Sequence, residues 1–303
     1  MSKGLIFSGQ GAQKVGMGKS LVEGSATAKA IYEQADAVLG WDEPLSKICF
    51  EGPEETLTET RVCQPALYVM GYAIAKILEE QGKLDGLSLA AGLSLGELTA
   101  LAAAESFSFE DGLRVVAERG RLMQEACDAS DGAMASMIGG SVEAVKELCA
   151  AHDVDMANLN CPGQIVISGE SAKVAQAVTA AKEAGGFRMV VPLKVAGAYH
   201  SRLMQPAKEQ FEQFLSTVEI KEPKLTVLSN TTGKAVKTPD EIRTALSKQV
   251  VASVLWEDCL REMLALEVTE LYECGPGAAL AGMSKRTDRA LQVTSIAEFS
   301  DLG

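Results

Sequence analysis

Histidine is nearly absent: His152 and His200 are the only two in 303 residues. Any mechanism that needs an imidazole base therefore has two candidates. The seven cysteines include no C-x-x-C pair, and with two histidines they form no conventional zinc-finger pattern. They read as buried, reduced thiols of a cytoplasmic protein. Basic residues are outnumbered, 28 Lys+Arg against 41 Asp+Glu, for a net charge of −13. A field of that sign repels phosphate backbones and argues against nucleic-acid binding. No run of 18 apolar residues occurs, the nearest (87–104) being broken by Glu97 and small polar residues, so no membrane span is expected. The first residues, MSKGLIFSGQGAQ, reach glycine and glutamine before a signal-peptide apolar region develops.

What is present is ordinary in bulk and specific in detail. A chain of this length, 47% hydrophobic, buries roughly 75% of its unfolded surface and needs no disulfide or metal to stay folded. Short β-rich runs alternate with helical patterns. Leu5–Ser8 and Leu87–Gly92 read as strands, while Gln64–Lys83, Leu95–Glu105 and Phe109–Ala126 read as helices. That alternation predicts an α/β fold with a mostly parallel sheet. Between Gly132 and Tyr199 the order becomes strand, helix, strand, strand, helix, strand, ending with Phe187–Pro192. This is the split βαβ, or ferredoxin-like, arrangement. The pattern beyond it predicts helices over Ser201–Thr217, Pro239–Lys248 and Trp256–Leu266, with strands over Lys224–Asn230 and Thr269–Glu273. An α/β domain interrupted by a smaller inserted one is expected.

Two glycine-rich segments bear on chemistry. The first, Gly9 to Ser20, follows a strand and ends in Gly18-Lys19-Ser20. A phosphate loop would need glycine where Gln13 stands, and a dinucleotide fingerprint would need it where Lys14 stands, so neither pattern is met. The second, Gly92-Leu93-Ser94-Leu95-Gly96, is a G-x-S-x-G between a strand and a helical pattern. That is the context of a nucleophile elbow, in which a serine sits on a sharp turn and the following N–H can hold an oxyanion. Of the two possible bases, His152 ends a helix and reads as solvated. His200 lies in a small-residue loop after the inserted module and is the better candidate.

One helix carries three arginines with different neighbours. Arg114 and Arg121 have acids at i±3 and i±4, whereas Arg119 has Val115, Val116, Leu122 and Met123. Arg119 therefore points with the buried stripe. A guanidinium keeps its charge, so either an internal carboxylate or a substrate carboxylate should meet it.

In chain order the sequence shows Phe7–Gln13, Gly92–Gly96 with Glu97, and Arg119–Gln124. It continues with Asn158–Gln164, Tyr199–Met204 and Glu273–Gly277. Together these resemble the malonyl-CoA:acyl-carrier-protein transacylases, the discrete acyltransferases of type II fatty-acid synthesis, across essentially the whole chain. The resemblance implies an α/β-hydrolase-like large subdomain at 1–128 and 200–303, with a ferredoxin-like small subdomain at 129–199. It implies Ser94 as nucleophile, His200 as general base, and the backbone N–H groups of Gln10 and Leu95 as oxyanion hole. It further implies Arg119 as clamp on the malonyl carboxylate, the Gln249 backbone carbonyl as the group orienting His200, and Asn160 near the acyl pocket. Family members often carry His where this chain has Leu93, a change that makes the pocket more apolar and bears on acyl selectivity.

The expected activity is transfer of a malonyl group from malonyl-CoA, as substrate, to acyl carrier protein through a malonyl-serine. No bound cofactor or metal is expected, nor a nucleic-acid or membrane partner, and the chain is expected to be a monomer. Malonate-decarboxylase or polyketide carriers are alternative acceptors. A serine esterase fits less well, because a neutral ester gives Arg119 no counter-charge. A non-catalytic scaffold would leave the assembled nucleophile, base and cation without a use. Lys285-Arg286 is a candidate basic edge for an acidic carrier.

Overall fold

A computed structural model describes residues 2–303. Eleven strands run in chain order among these residues: β1 (Ser2–Phe7), β2 (Leu87–Gly92), β3 (Gly132–Ile138), β4 (Asp155–Cys161), β5 (Gln164–Glu170) and β6 (Met189–Pro192); then β7 (Thr226–Leu228), β8 (Ala235–Val236), β9 (Val254–Leu255), β10 (Val268–Cys274) and β11 (Gln292–Ile296). The larger sheet has the order β11-β10-β1-β2-β7-β8. Its pairings are parallel except for the β7–β8 hairpin.

Alternation along the central strands sorts apolar side chains to two faces. Leu5, Phe7, Ala90 and Val227 join one core, packed against the helices Thr60–Glu80, Leu95–Ala103 and Phe109–Asp128. Ile6, Leu89, Ala91 and Leu228 join the opposite core with Trp256, Leu260 and Met263 of the helix Trp256–Ala265. Both faces are thus covered, as a parallel sheet requires. The carboxyl ends of β1, β2 and β7 lead directly into Gly9-Gln10, Leu93-Ser94 and Asn230. In open α/β sheets the ligand crevice lies at those ends.

The second sheet runs β6-β3-β5-β4-β9. The first four strands pair antiparallel, which is the ferredoxin-like order, and they pack on the helices Val142–His152 and Ser171–Ala184 through Met137, Ile167, Val145 and Val174. The fifth strand departs from the sequence expectation. Val254 and Leu255 pair in parallel with Asn158 and Leu159, so a segment beyond residue 199 extends the small sheet. Two residues are too short for strand periodicity to register.

Other boundaries shift for tertiary reasons. The helix expected from Gln64 begins at Thr60, whose N–H donates to Gln124 Oε1 at 2.9 Å. A side chain on another helix there replaces a local cap. The expected strand Lys224–Asn230 shortens to Thr226–Leu228 because Asn230 leaves the sheet for the site.

Candidate active site

Ser94 sits between the last residue of a strand and the first turn of the helix Leu95–Ala103, at φ 52° and ψ −104°. An L-residue there is strained by about 1–3 kcal/mol and must be held by its surroundings. Two glycines permit the turn. A Cβ on Gly92 would lie 2.1 Å from the Gly96 carbonyl carbon, and one on Gly96 would lie 2.2 Å from the Phe7 oxygen. Asn230 closes the turn from β7, taking the Ser94 N–H on Oδ1 at 2.6 Å and donating Nδ2 to the Gly92 carbonyl at 2.9 Å.

His200 meets this serine from a second left-handed position, φ 55°. Its Nε2 is 2.8 Å from Ser94 Oγ, and its Nδ1 is 2.8 Å from the Gln249 carbonyl oxygen. That carbonyl can only accept, so Nδ1 carries the proton and Nε2 is free to take one from the serine. Burial first, and then the nearby Arg119 charge, lower the imidazole pKa to about 4. His200 is therefore neutral at physiological pH.

Arg119 is 1% exposed. Its Nη1 donates to Gln64 Oε1 at 2.7 Å, while Nη2 donates to Gln249 Oε1 at 2.8 Å and to Ser94 Oγ at 3.2 Å. Arg114 pairs with Asp111, and Arg121 with Glu118 and Glu125, as their helical spacing predicts. Among the described residues Arg119 has no ion pair within 4 Å, so the internal-salt-bridge alternative does not hold. Desolvation lowers it to about 10, which leaves it charged at neutral pH. The site presents a buried cation held by neutral amides beside a serine hydroxyl.

Gln249 does more than its carbonyl was expected to do. Its Nε2 donates to the Ser94 carbonyl at 3.1 Å and to Glu97 Oε2 at 2.6 Å, and the same Oε2 accepts Asn230 N–H at 2.9 Å. Glu97 is fully buried, and desolvation raises its pKa to about 7 against the lowering effect of these hydrogen bonds and of Arg119. Its Oε1 has no partner.

The remaining expected residues fall in different places. Gln10, in the turn after β1, links by its side chain to Thr60 at 3.3 Å and to Gln64 at 3.4 Å. Leu95 opens the helix. Neither backbone N–H donates to a protein acceptor among the described residues. Asn160, on β4, is buried with Oδ1 unpartnered and bonds to none of the other site side chains. Leu93 packs against the apolar cluster on the far sheet face. His152 ends its helix, away from this cluster.

Gln64 and Asn230 carry no role in the sequence pattern, and Glu97 enters it only as the residue after the G-x-S-x-G segment. Each carried a faint signal. Gln64 lies one turn before Leu67 and Tyr68 on a buried helix face, and Glu97 sits among Leu95, Leu98 and Leu101. A polar group at such a position implies a partner.

The acyl transferase domain family matches residues 5–297. The chain is 39% identical over 304 residues to a malonyl CoA-acyl carrier protein transacylase of Bacillus subtilis strain 168, covering 98% of this chain and 94% of that one. It is 40% identical to a polyketide-biosynthesis malonyl CoA-acyl carrier protein transacylase of the same strain, covering 93% and 95%. Among solved structures, a malonyl-transacylase in complex with its type II PKS acyl-carrier protein superposes with a TM-score of 0.95 at 34% identity, covering 100% and 98%.

Proposed function

The chain belongs to the acyl transferase domain family, among the malonyl-CoA:acyl-carrier-protein transacylases, and from that premise we propose how its residues move a malonyl group from malonyl-CoA to acyl carrier protein. Ser94 Oγ attacks the thioester carbonyl while His200 Nε2 takes the hydroxyl proton. The oxyanion lies against the unused N–H groups of Gln10 and Leu95. Collapse breaks the C–S bond, and His200 returns its proton to the departing CoA sulfur. In the second half the carrier's phosphopantetheine thiol gives its proton to His200 and attacks the malonyl-Ser94 ester. Collapse breaks the acyl C–O bond to release malonyl-carrier, and Ser94 Oγ recovers the proton from His200. No bound cofactor enters these steps.

The observation that carries this reading is Arg119. A buried guanidinium beside the nucleophile, without an internal carboxylate partner, calls for an anionic acyl group. An acetyl group would leave it without an anion in direct contact, and sites of that kind discriminate by roughly 10⁴. Asn160 is assigned to the acyl pocket on the strength of its unpartnered buried Oδ1. The division into 1–128 with 200–303, and 129–199, belongs to the same proposal, supported by a separate apolar core under the second sheet.

The carrier docks against a protein of net charge −13, so it needs a local basic edge. Lys285, Arg286 and Arg289 are exposed near the end of the helix Ala279–Thr287. A cytoplasmic location accords with seven free cysteines. Separately, no helix among the described residues is long and apolar enough to cross a membrane. A polyketide carrier is the second reading, favoured by the 40% identity to a polyketide-biosynthesis relative.

The test is transfer itself. Malonyl-CoA and purified holo acyl carrier protein, incubated with the protein, should yield malonyl-carrier and free CoA. Supplying acetyl-CoA should yield almost none. Equal transfer of the two acyl groups, or hydrolysis without transfer, would contradict the reading.

A further inference from the structure

Glu97 is a buried carboxylate that the transfer steps do not use. It is 1% exposed, and its Oε2 receives Gln249 Nε2 at 2.6 Å. The same amide's Oε1 receives Arg119 Nη2 at 2.8 Å. One amide therefore stands between the buried anion and the buried cation, joined to each. The second carboxylate oxygen, Oε1, is buried without a hydrogen-bond partner. Burial penalises the ionised carboxylate more than the neutral acid, and this outweighs the favourable contacts of Asn230, Gln249 and the nearby Ser229 hydroxyl with the anion.

We propose that Glu97 is a positioning residue that balances the charge of the malonyl site: ionised when the site is empty, it takes up a proton when a substrate carboxylate docks on Arg119. In the empty site Glu97 is the anion nearest in the hydrogen-bond chain to Arg119. A malonyl carboxylate brings a second anion to one guanidinium among groups that are about 1% exposed, and like charges repel strongly in such a buried setting. Protonation of Glu97 removes the conflict. Its Oε2 still accepts from Gln249 and Asn230, so His200 and the Ser94 turn stay in place.

The free-state pKa of about 7 puts this exchange within working pH. The other titratable groups around Glu97 do not titrate there. Arg119 lies near 10. His200, which shares Gln249 with it, is near 4. Cys259, on the helix Trp256–Ala265, is pushed well up by burial and by Glu97 itself. The nearest remaining neighbours, Asn230 and Ser229, are neutral.

The sign follows from linkage. Above the free-state pKa Glu97 is charged, so malonyl binding must draw a proton from solution and weakens as pH rises. This proposal rests on the malonyl reading, and its test separates the two. Binding of malonyl-CoA and of CoA is measured by titration calorimetry on the Ser94→Ala protein, which cannot turn over, from pH 6.5 to 8.5. CoA lacks the acyl carboxylate and cancels the titration of its own phosphates. The preference for malonyl-CoA over CoA should fall about five- to twentyfold across that range. At pH 7.5, comparison of buffers with different ionisation enthalpies should show uptake of about half a proton or more per malonyl bound, with none for CoA.

In Glu97→Gln on the same background, an amide oxygen replaces Oε2 and the charge is gone. The preference should then change less than about twofold with pH, and proton uptake should vanish. A purely structural role for Glu97 would lower affinity without moving the pH profile. A flat preference in the Ser94→Ala protein, absence of proton uptake, or an undiminished pH dependence in Glu97→Gln would overturn the proposal. Should Glu97→Gln not fold, the proton count on the Ser94→Ala protein decides alone. Malonyl-CoA binding no better than CoA at every pH would instead overturn the malonyl reading.

Discussion

His200 Nδ1 lies 2.8 Å from the backbone carbonyl of Gln249, so a neutral dipole and not a carboxylate orients the imidazole proposed as base. A carbonyl fixes the tautomer but stabilises the imidazolium less than an anion would. With Arg119 close by, the imidazole is held near pKa 4. Because kcat/KM reports the free enzyme, it should change less than about twofold between pH 6 and 5. A histidine of ordinary pKa would lose about eightfold over that interval. A steady-state pH profile with malonyl-CoA checks this.

Arg119 donates to Gln64, Gln249 and Ser94 at once, while its Nε is buried without a partner, so the planar fork is fixed in place and still has donors for a carboxylate. Arg119→Ala should lower the preference for malonyl over acetyl transfer by about 10²–10⁴. Arg119→Lys should keep the charge yet lose at least about tenfold in malonyl kcat/KM, since an ammonium cannot reproduce the fork. Competition between malonyl-CoA and acetyl-CoA for one carrier reads both effects.

The elbow's glycines are required by space, and a helix glycine elsewhere is not. Gly96→Ala would put a Cβ 2.2 Å from the Phe7 carbonyl oxygen, whereas Gly282→Ala meets nothing within 4 Å. The first should destabilise the fold by several kcal/mol and abolish transfer. The second, inside the helix Ala279–Thr287, should stabilise it by about 0.5–1 kcal/mol. Urea denaturation of the two variants distinguishes them.

Asn230 holds the strained serine from both sides. Asn230→Ala strands the Ser94 N–H and the Gly92 carbonyl, which should cost about 1–3 kcal/mol of stability. On the proposed mechanism its kcat should fall with KM little changed, because the misplaced group is Ser94 and not Arg119. Unchanged kcat would show that the glycines alone set the turn.

How much of this was legible in the sequence depended on whether a signal was local. Ser94 was marked by its flanking glycines and Arg119 by its four apolar helical neighbours. Both sit where those patterns place them, and His200 followed from scarcity and loop context. Residues defined only by the fold left little trace. Asn230 reaches Ser94 across 136 positions, and its identity as an amide means nothing until β2 and β7 lie side by side. Gln249 was anticipated for its backbone alone. That its side chain bridges Arg119 and Glu97 depends on the packing of three separate helices. The short helices Lys19–Gly24, Leu45–Glu51 and Glu54–Thr58 and the two-residue strand β9 fall below the length at which periodicity registers, whereas the 14-residue helix Ala26–Leu39 is long enough to register and has no counterpart among the expected elements. The strand β4 shows why β9 exists at all: it leaves an open edge, and Val254-Leu255 covers it.

The central claim is that the malonyl group passes through Ser94. The direct measurement is intact mass, followed by peptide mapping, of the protein treated with malonyl-CoA in the absence of any carrier. The expected result is a gain of one malonyl unit, about 86 Da, on the peptide containing Ser94, discharged when holo carrier is added. The Ser94→Ala protein should gain nothing. Transfer to the carrier with no adduct at Ser94, or an adduct that persists in Ser94→Ala, would contradict it.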